Sequence, residues 1–320
     1  MKEDIKKGEN ISGGKMIFNC ASIANRTPIT ADIFLNDYCN NRCPYCTYAR
    51  YGDRNGEYMS FEDFKKYVRI LRAAGVRGFI LTGGGEPTIS RDFDKIVEWL
   101  EANGIEYGIN TNFNVFKAIK PKYLKVSLDA WDGESYKAKR GVDCYQKTIE
   151  NIKKYVEWKK ENSPQTSVGI QLVVESIDEA ERFYEAHKGL DVDYMNFRPF
   201  ESTQGSYYDT HDETEIVKWL EDMHKKDSRV CVNYKWYHLR EKFDRCYAQF
   251  AQIALNQRGE VMYCCHKPYE ITGHITDPDI FEKIKKARTD MTMCDVPCRL
   301  ASPNKFIREI DEGCKDSAFI

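Results

Sequence analysis

Long apolar runs are missing from this sequence. No stretch approaches the roughly 20 residues that a membrane helix needs. The N-terminal segment "MKEDIKKGENISGGKM" is charged and glycine-rich, without the apolar core of a secretory signal, and reads as an arm. Charge of one sign is also missing. The 48 Lys and Arg against 50 Asp and Glu leave a formal net charge of −2, which argues against a nucleic-acid or membrane-surface partner. Short repeats and low-complexity tracts are absent as well. These absences predict a cytoplasmic protein. Its 320 residues, 42 % hydrophobic, hold enough apolar material for a sizeable core, and a prior of about 150 residues per domain suggests two.

Cysteine, by contrast, is plentiful and clustered. Of twelve cysteines, Cys39, Cys43 and Cys46 form one group, and Cys246, Cys264, Cys265, Cys294, Cys298 and Cys314 lie in the last quarter. Cys20, Cys144 and Cys231 are scattered. In a reducing compartment disulfides are rare, so clustered thiols read as metal ligands or catalytic groups.

Between about residues 30 and 200, β-rich runs alternate with capped amphipathic helices. Strands are expected at 30–36, 77–87, 106–112, 124–130, 167–176 and 192–200. Helices are expected at 60–75, 90–104, 145–162 and 177–189. Six strands alternating with helices predict an α/β protein with a parallel, right-handed βαβ array, as an open sheet or a barrel. After residue 200 a polar stretch and a helix, "EIVKWLEDMHKKD", lead to a hairpin at 251–265 turning around Asn256–Gly259.

The first cysteines stand at C-x3-C-x2-C spacing just after the first strand, at the strand end where α/β folds place active sites. Closely spaced thiolates bind iron–sulfur clusters or structural zinc. Zinc wants a fourth ligand, and this loop offers none. A four-iron cube on three cysteines instead leaves one iron open to a substrate or cofactor.

This motif, with aromatic Tyr45 before its last cysteine, resembles the radical S-adenosylmethionine (radical SAM) superfamily. "GGGEP" (83–87) and "VSLDAWDGESYKAKRG" (126–141) follow in that family's order. The resemblance implies a partial (β/α)6 TIM-like barrel over 30–200, preceded by an arm at 1–29. It implies a [4Fe–4S] cluster on Cys39, Cys43 and Cys46. Tyr45, Gly83, Gly84, Gly85, Glu86, Ser127 and Arg140 fall at positions that face S-adenosylmethionine. Ser127 and Arg140 would meet its carboxylate, and the glycines would let backbone approach its amino group. The implied chemistry is reductive cleavage of the cofactor to a 5′-deoxyadenosyl radical, which abstracts a hydrogen atom from a substrate. A flavodoxin or ferredoxin-type protein would supply the electron.

The tail pattern, C-x12-G-x4-C followed by C-x3-C, resembles the SPASM and shorter twitch extensions of one radical SAM branch. The longer C-x2-C-x5-C-x3-C signature is absent, which favours the twitch form, a small hairpin-plus-helix module over 246–320 after a linker and helix at 201–245. The resemblance implies one auxiliary [4Fe–4S] cluster on Cys246, Cys264, Cys294 and Cys298. Cys265 adjoins Cys264 and is read as a spare thiol and candidate hydrogen donor; Cys314 is an alternative ligand. Four-cysteine zinc is the other reading of this group.

An auxiliary cluster suits a two-electron oxidation, so the expected substrate is a small polar, sugar- or polyol-like molecule. A peptide-modifying maturase, by epimerisation or crosslinking, is the alternative; only about thirty residues precede strand one, too few for a folded leader-binding domain. Substrate candidates are Arg198, Glu201, Tyr207 and His211, with Tyr208 beside them. A non-catalytic iron–sulfur or zinc redox sensor would leave "GGGEP" and the Ser127–Arg140 stretch unexplained.

Overall fold

The β-rich runs pair side by side in chain order. In the computed structural model β1 (Thr30–Phe34), β2 (Gly78–Thr82), β3 (Tyr107–Thr111), β4 (Tyr123–Ser127), β5 (Ser167–Val174) and β6 (Tyr194–Pro199) form a continuous parallel array. The structure describes residues 26–46, 48–49, 54–199, 213–233, 236, 243–247, 249, 252–265, 267–286, 289, 300–301 and 304–308. The connecting helices are α1 (Phe61–Ala73), α2 (Phe93–Ala102), α3 (Gly133–Arg140), α4 (Tyr145–Asn162), α5 (Ile177–His187) and α6 (Glu213–Lys226).

Local chemistry accounts for the helix starts. The Ser60 side chain accepts from the Asp63 N–H, and Glu62 and Asp63 face the positive end of α1. Phe64, Tyr67, Val68 and Leu71 then recur at helical spacing and are the buried face. Between α3 and β4, Asp132 and Ser135 form a reciprocal capping box.

Strand alternation divides the sheet into two faces. Leu124 and Val126 of β4, Ile170 and Leu172 of β5, and Met195 and Phe197 of β6 are fully buried in the main core with the helices. Their neighbours Tyr123, Lys125, Ser127, Tyr194, Asn196 and Arg198 point to the other, inner face and are half-buried. Two tyrosines close the floor of that inner face. Tyr123 and Tyr194 lie directly across from Gly108 and Gly169, and a Cβ on either glycine would sit 2.1 Å from the tyrosine ring. Glycine is what lets each ring lie flat on the neighbouring strand.

Three features go beyond the expected elements. The α3 turn was not read as a helix. A two-residue seventh parallel strand, β7 (Val230–Cys231), follows α6. The expected hairpin, β8 (Gln252–Leu255) and β9 (Glu260–Cys264), is extended by a third strand, β10 (Lys267–His274), ahead of a short helix, α7 (Ile280–Ile284). The hairpin also joins the barrel sheet, because β8 pairs in parallel with β1 from Thr30↔Gln252 to Ile33↔Leu255. The sheet order is β10-β9-β8-β1-β2-β3-β4-β5-β6-β7, and it does not close. The result is an α/β fold in which a partial, TIM-like barrel is open along one side. No helix among the described residues is long and apolar enough to cross a membrane.

Candidate active site

Cys39, Cys43 and Cys46 lie in the loop that leaves β1, and the segment after β3 and the end of α3 hold this loop in place. Asn112, just past β3, donates to Asn40 Oδ1 at 2.6 Å and reaches Cys39 Sγ at 3.8 Å. Asn114 donates to Asn41 Oδ1 at 2.7 Å, and its own carbonyl oxygen accepts from Tyr136 and Thr148. The Arg42 N–H donates to the Arg140 carbonyl at 2.9 Å, tying the loop to the end of α3.

Each sulfur faces an N–H donor. The Asn41 N–H lies 3.3 Å from Cys39, the Ala49 N–H 3.4 Å from Cys46, and Arg140 Nη1 3.4 Å from Cys43. Such donors favour thiolate and tune the potential of a bound cluster. Burial pushes the Cys39 thiol up to about 11 against the Asn41 N–H, with Glu86 and the thiols of Cys43 and Cys46 adding to the rise. Burial raises Cys43 too, against the pull of Arg140. Metal loading must therefore displace protons. Among the described residues no three His, Cys, Asp or Glu side chains converge on a point that a single metal ion could occupy. The three thiols feel one another's charge without so converging, and a multi-iron cluster spans a wider triangle of sulfurs than one ion does.

Behind the loop sits a buried ion pair. Asp129, at φ 54°, accepts from Tyr45 Oη at 3.0 Å, from the Val173 N–H at 2.7 Å, and from Arg140 Nη1 at 3.3 Å. Burial pulls the Arg140 pKa down, but the charges of Asp129, Tyr45 and Cys43 outweigh it and hold the group well above its usual value. Arg140 Nε and Nη2 are buried and have no partner. A buried guanidinium with two unused donor atoms fits a ligand carboxylate. Ser127 ends β4 on the inner face, across from Gln171.

The glycine turn is fixed by close approach. The Gly85 N–H donates to the Asn36 carbonyl, and a Cβ on Gly85 would lie 1.9 Å from the Tyr38 carbonyl oxygen. The Tyr48 ring lies on Gly84, 2.4 Å from where a Cβ would be. Glu86 is buried, and its carboxylate accepts from Thr88, Thr111 and the Asn112 N–H. Burial raises its pKa against those bonds. Glu86 thus anchors the turn to the end of β3.

The donor set of three thiols, the partnerless nitrogens of Arg140 and the side-chain-free turn together fit an iron–sulfur cluster with an amino-acid-bearing cofactor. Of the expected tail residues, Cys246 and Cys264 are half-buried thiols outside any disulfide, and Cys265 packs against the cluster of Phe34, Ala254 and Met262, as Tyr48 does. Arg198 lies on the inner face of β6. Cys294, Cys298 and Cys314, together with Glu201, Tyr207, Tyr208 and His211, lie outside the described residues. Sequence reading missed Asp129 and the asparagine braces. The repeated asparagines of "CNNRC" and "NTNFN" were their signal.

Comparison with known proteins agrees with this geometry. The family model described as the radical SAM superfamily matches residues 33–187. A probable GTP 3',8-cyclase of Pyrococcus horikoshii is 32% identical over 130 residues, covering 38% of this chain and 41% of that protein. The corresponding protein of Saccharolobus solfataricus is 31% identical over 134 residues, covering 39% and 42%. The matches thus span about two-fifths of these relatives. Among solved structures, Streptococcus suis SuiB bound to precursor peptide SuiA superposes with a TM-score of 0.65 at 16% identity, covering 91% of this chain and 76% of that one. Native anSMEcpe with bound AdoMet gives 0.61 at 18% identity, covering 82% of each. Those two likenesses concern the fold; residues 33–187, with the cysteine loop they contain, are a radical SAM domain.

Proposed function

We propose that the protein is a radical SAM enzyme that oxidises a small polar, sugar- or polyol-like molecule by two electrons. Cys39, Cys43 and Cys46 would hold the [4Fe–4S] cluster, with S-adenosylmethionine against Gly83–Gly85, Ser127 and Arg140. Cys246, Cys264, Cys294 and Cys298 would hold an auxiliary [4Fe–4S] cluster. When bound, these groups supply a 5′-deoxyadenosyl radical to take a hydrogen atom and an acceptor for the second electron.

The chain's own residues do the positioning. Arg140, held charged by Asp129, offers Nε and Nη2 to a carboxylate. Tyr45 and the asparagine braces keep the cysteine loop in register with β3 and β4. The partnerless nitrogens of Arg140 beside Cys43 carry the reading, because a buried cation with unused donors is costly unless a ligand completes it. The GTP 3',8-cyclases that the chain resembles are named for a sugar-bearing polar substrate, which supports the small-molecule class. A peptide substrate is the second reading, favoured by the fold shared with SuiB, whose structure holds a precursor peptide. In it Cys265, packed on the Phe34, Ala254 and Met262 cluster, is the candidate hydrogen donor.

Anaerobic incubation with S-adenosylmethionine and dithionite tests the reading. The reconstituted protein is expected to carry about eight irons per chain and to release 5′-deoxyadenosine. Protein that holds its iron and releases none would refute the enzyme assignment. Stimulation by peptides and by no sugar or polyol would move the assignment to the second reading.

A further inference from the structure

A closed β/α barrel packs its interior with branched apolar side chains. Here the inner face is built differently. Thr82 of β2, Asn110 of β3, Lys125 and Ser127 of β4, and Asn196 and Arg198 of β6 all point inward and are half-buried, while the helix-facing residues between them are fully buried. The inner face is therefore an open, polar-lined space above the Tyr123 and Tyr194 floor.

Its polarity is organised by register. Ser127, Gln171, Asn196 and Cys231 face one another across β4 to β7 as a single row. Within it Asn196 Nδ2 donates to Gln171 Oε1 at 3.0 Å, which fixes the orientation of both amides. One row toward the floor, Asn110 and Lys125 are paired. One row toward the strand ends stands Arg198, across from Val173. The amide row is thus flanked by a cation on each side. Along the strand direction Lys125 and Arg198 are roughly 13 Å apart, a span that two long side chains can bridge around a small molecule. Asp32 stands at the floor, beside Tyr123, and brings a negative charge to that end of the face. The opposite wall is apolar, made of Phe34, Ala254 and Met262.

We infer that this inner face selects a small polyhydroxylated substrate that carries an anionic group, a sugar phosphate or a sugar acid. The Gln171–Asn196 pair meets hydroxyls, and Lys125 and Arg198 together draw the anion, since charges on low-dielectric walls focus their field into the space between them. This inference rests on the proposed small-molecule reading and sharpens it.

Equilibrium binding to the anaerobic holoenzyme tests it, with glucose, gluconate and glucose 6-phosphate as probes. At least one anionic probe is expected to bind tenfold or more tightly than glucose, and which one does separates carboxylate from phosphate recognition. Lys125→Met and Arg198→Met should each cut that preference severalfold, and the double variant should abolish it. Lys125→Arg and Arg198→Lys should restore most of it, which a merely structural role would not do. Equal affinity for glucose and both anions, or an anion preference untouched in the double variant, overturns the inference. So does exclusive binding of an acidic peptide. Release of 5′-deoxyadenosine by the wild-type protein without any sugar reports on the radical chemistry separately, so the two readings can fail independently.

Discussion

Arg140 shows how much one side chain can be asked to do. It neutralises Asp129, donates to Cys43 and keeps two nitrogens unused, all while 7 % exposed. Replacing it leaves the Asp129 carboxylate buried and unpaired. Arg140→Met is expected to lower stability by about 3–5 kcal/mol, measured by urea unfolding. It should also weaken S-adenosylmethionine binding tenfold or more, measured by equilibrium dialysis. A variant that is as stable and binds as well would show that Asp129 finds its partner elsewhere. His187 makes a prediction of another kind. It is buried between Tyr145 and the Phe183 carbonyl, and burial lowers its pKa from 6.5 to about 4. The unfolded chain takes up a proton there first as pH falls. Stability from this residue is complete above about pH 7 and drains away between pH 6.5 and 4, by about 3 kcal/mol in all. His187→Gln should flatten that part of the pH–stability curve. An unchanged slope would assign the acid sensitivity to other groups.

At the scale of elements, periodicity was legible and partnership was not. The helix at 145–162 is found residue for residue, and each of the six expected strands is present, because helical and alternating patterns are local properties. The short α3 helix lay inside a stretch read for its motif. β7 is two residues long and has no pattern of its own. The cysteine loop was legible in full, whereas Asp129 was not, since its importance comes from three partners at sequence distances of 11 to 84. The inner polar row was written in "YLKVS" and "YMNFRP" as alternation, but only the register between strands shows that the polar positions face each other. The floor gives a direct test. Gly169→Ala puts a methyl where the Tyr194 ring lies, and is expected to cost about 1–3 kcal/mol. Adding Tyr194→Leu should recover part of that loss. If the double variant is no more stable than the single one, the ring is not what excludes the methyl group.

For the molecule as a whole, the question is whether the cysteine-bearing tail is a separate stability unit. Ile253, Leu255 and Val261 of the hairpin are fully buried in the main core, and Met262 shares a smaller cluster with Phe34 of β1. At about 1.5–3 kcal/mol for each such side chain, these four contribute on the order of 6–12 kcal/mol, comparable to the entire stability of an ordinary domain. Polar contacts reinforce the seam. Arg258 pairs with Glu57 at 2.6 Å, Gln257 donates to Glu57 and accepts from Tyr48, and Tyr67 lies in edge contact with His274. The Arg258–Glu57 pair is exposed and adds little, about 1 kcal/mol at most; the apolar burial decides the matter. The hairpin and the barrel should therefore unfold together. Hydrogen exchange at the amides of 252–255 is expected to match that of 30–34, both near the slowest in the protein. Exchange at 252–255 faster by a hundredfold would mean that the hairpin opens while the barrel stays folded. In that case the β8–β1 seam could not by itself hold Cys264, at the end of β9, in a fixed place relative to the Cys39–Cys46 loop.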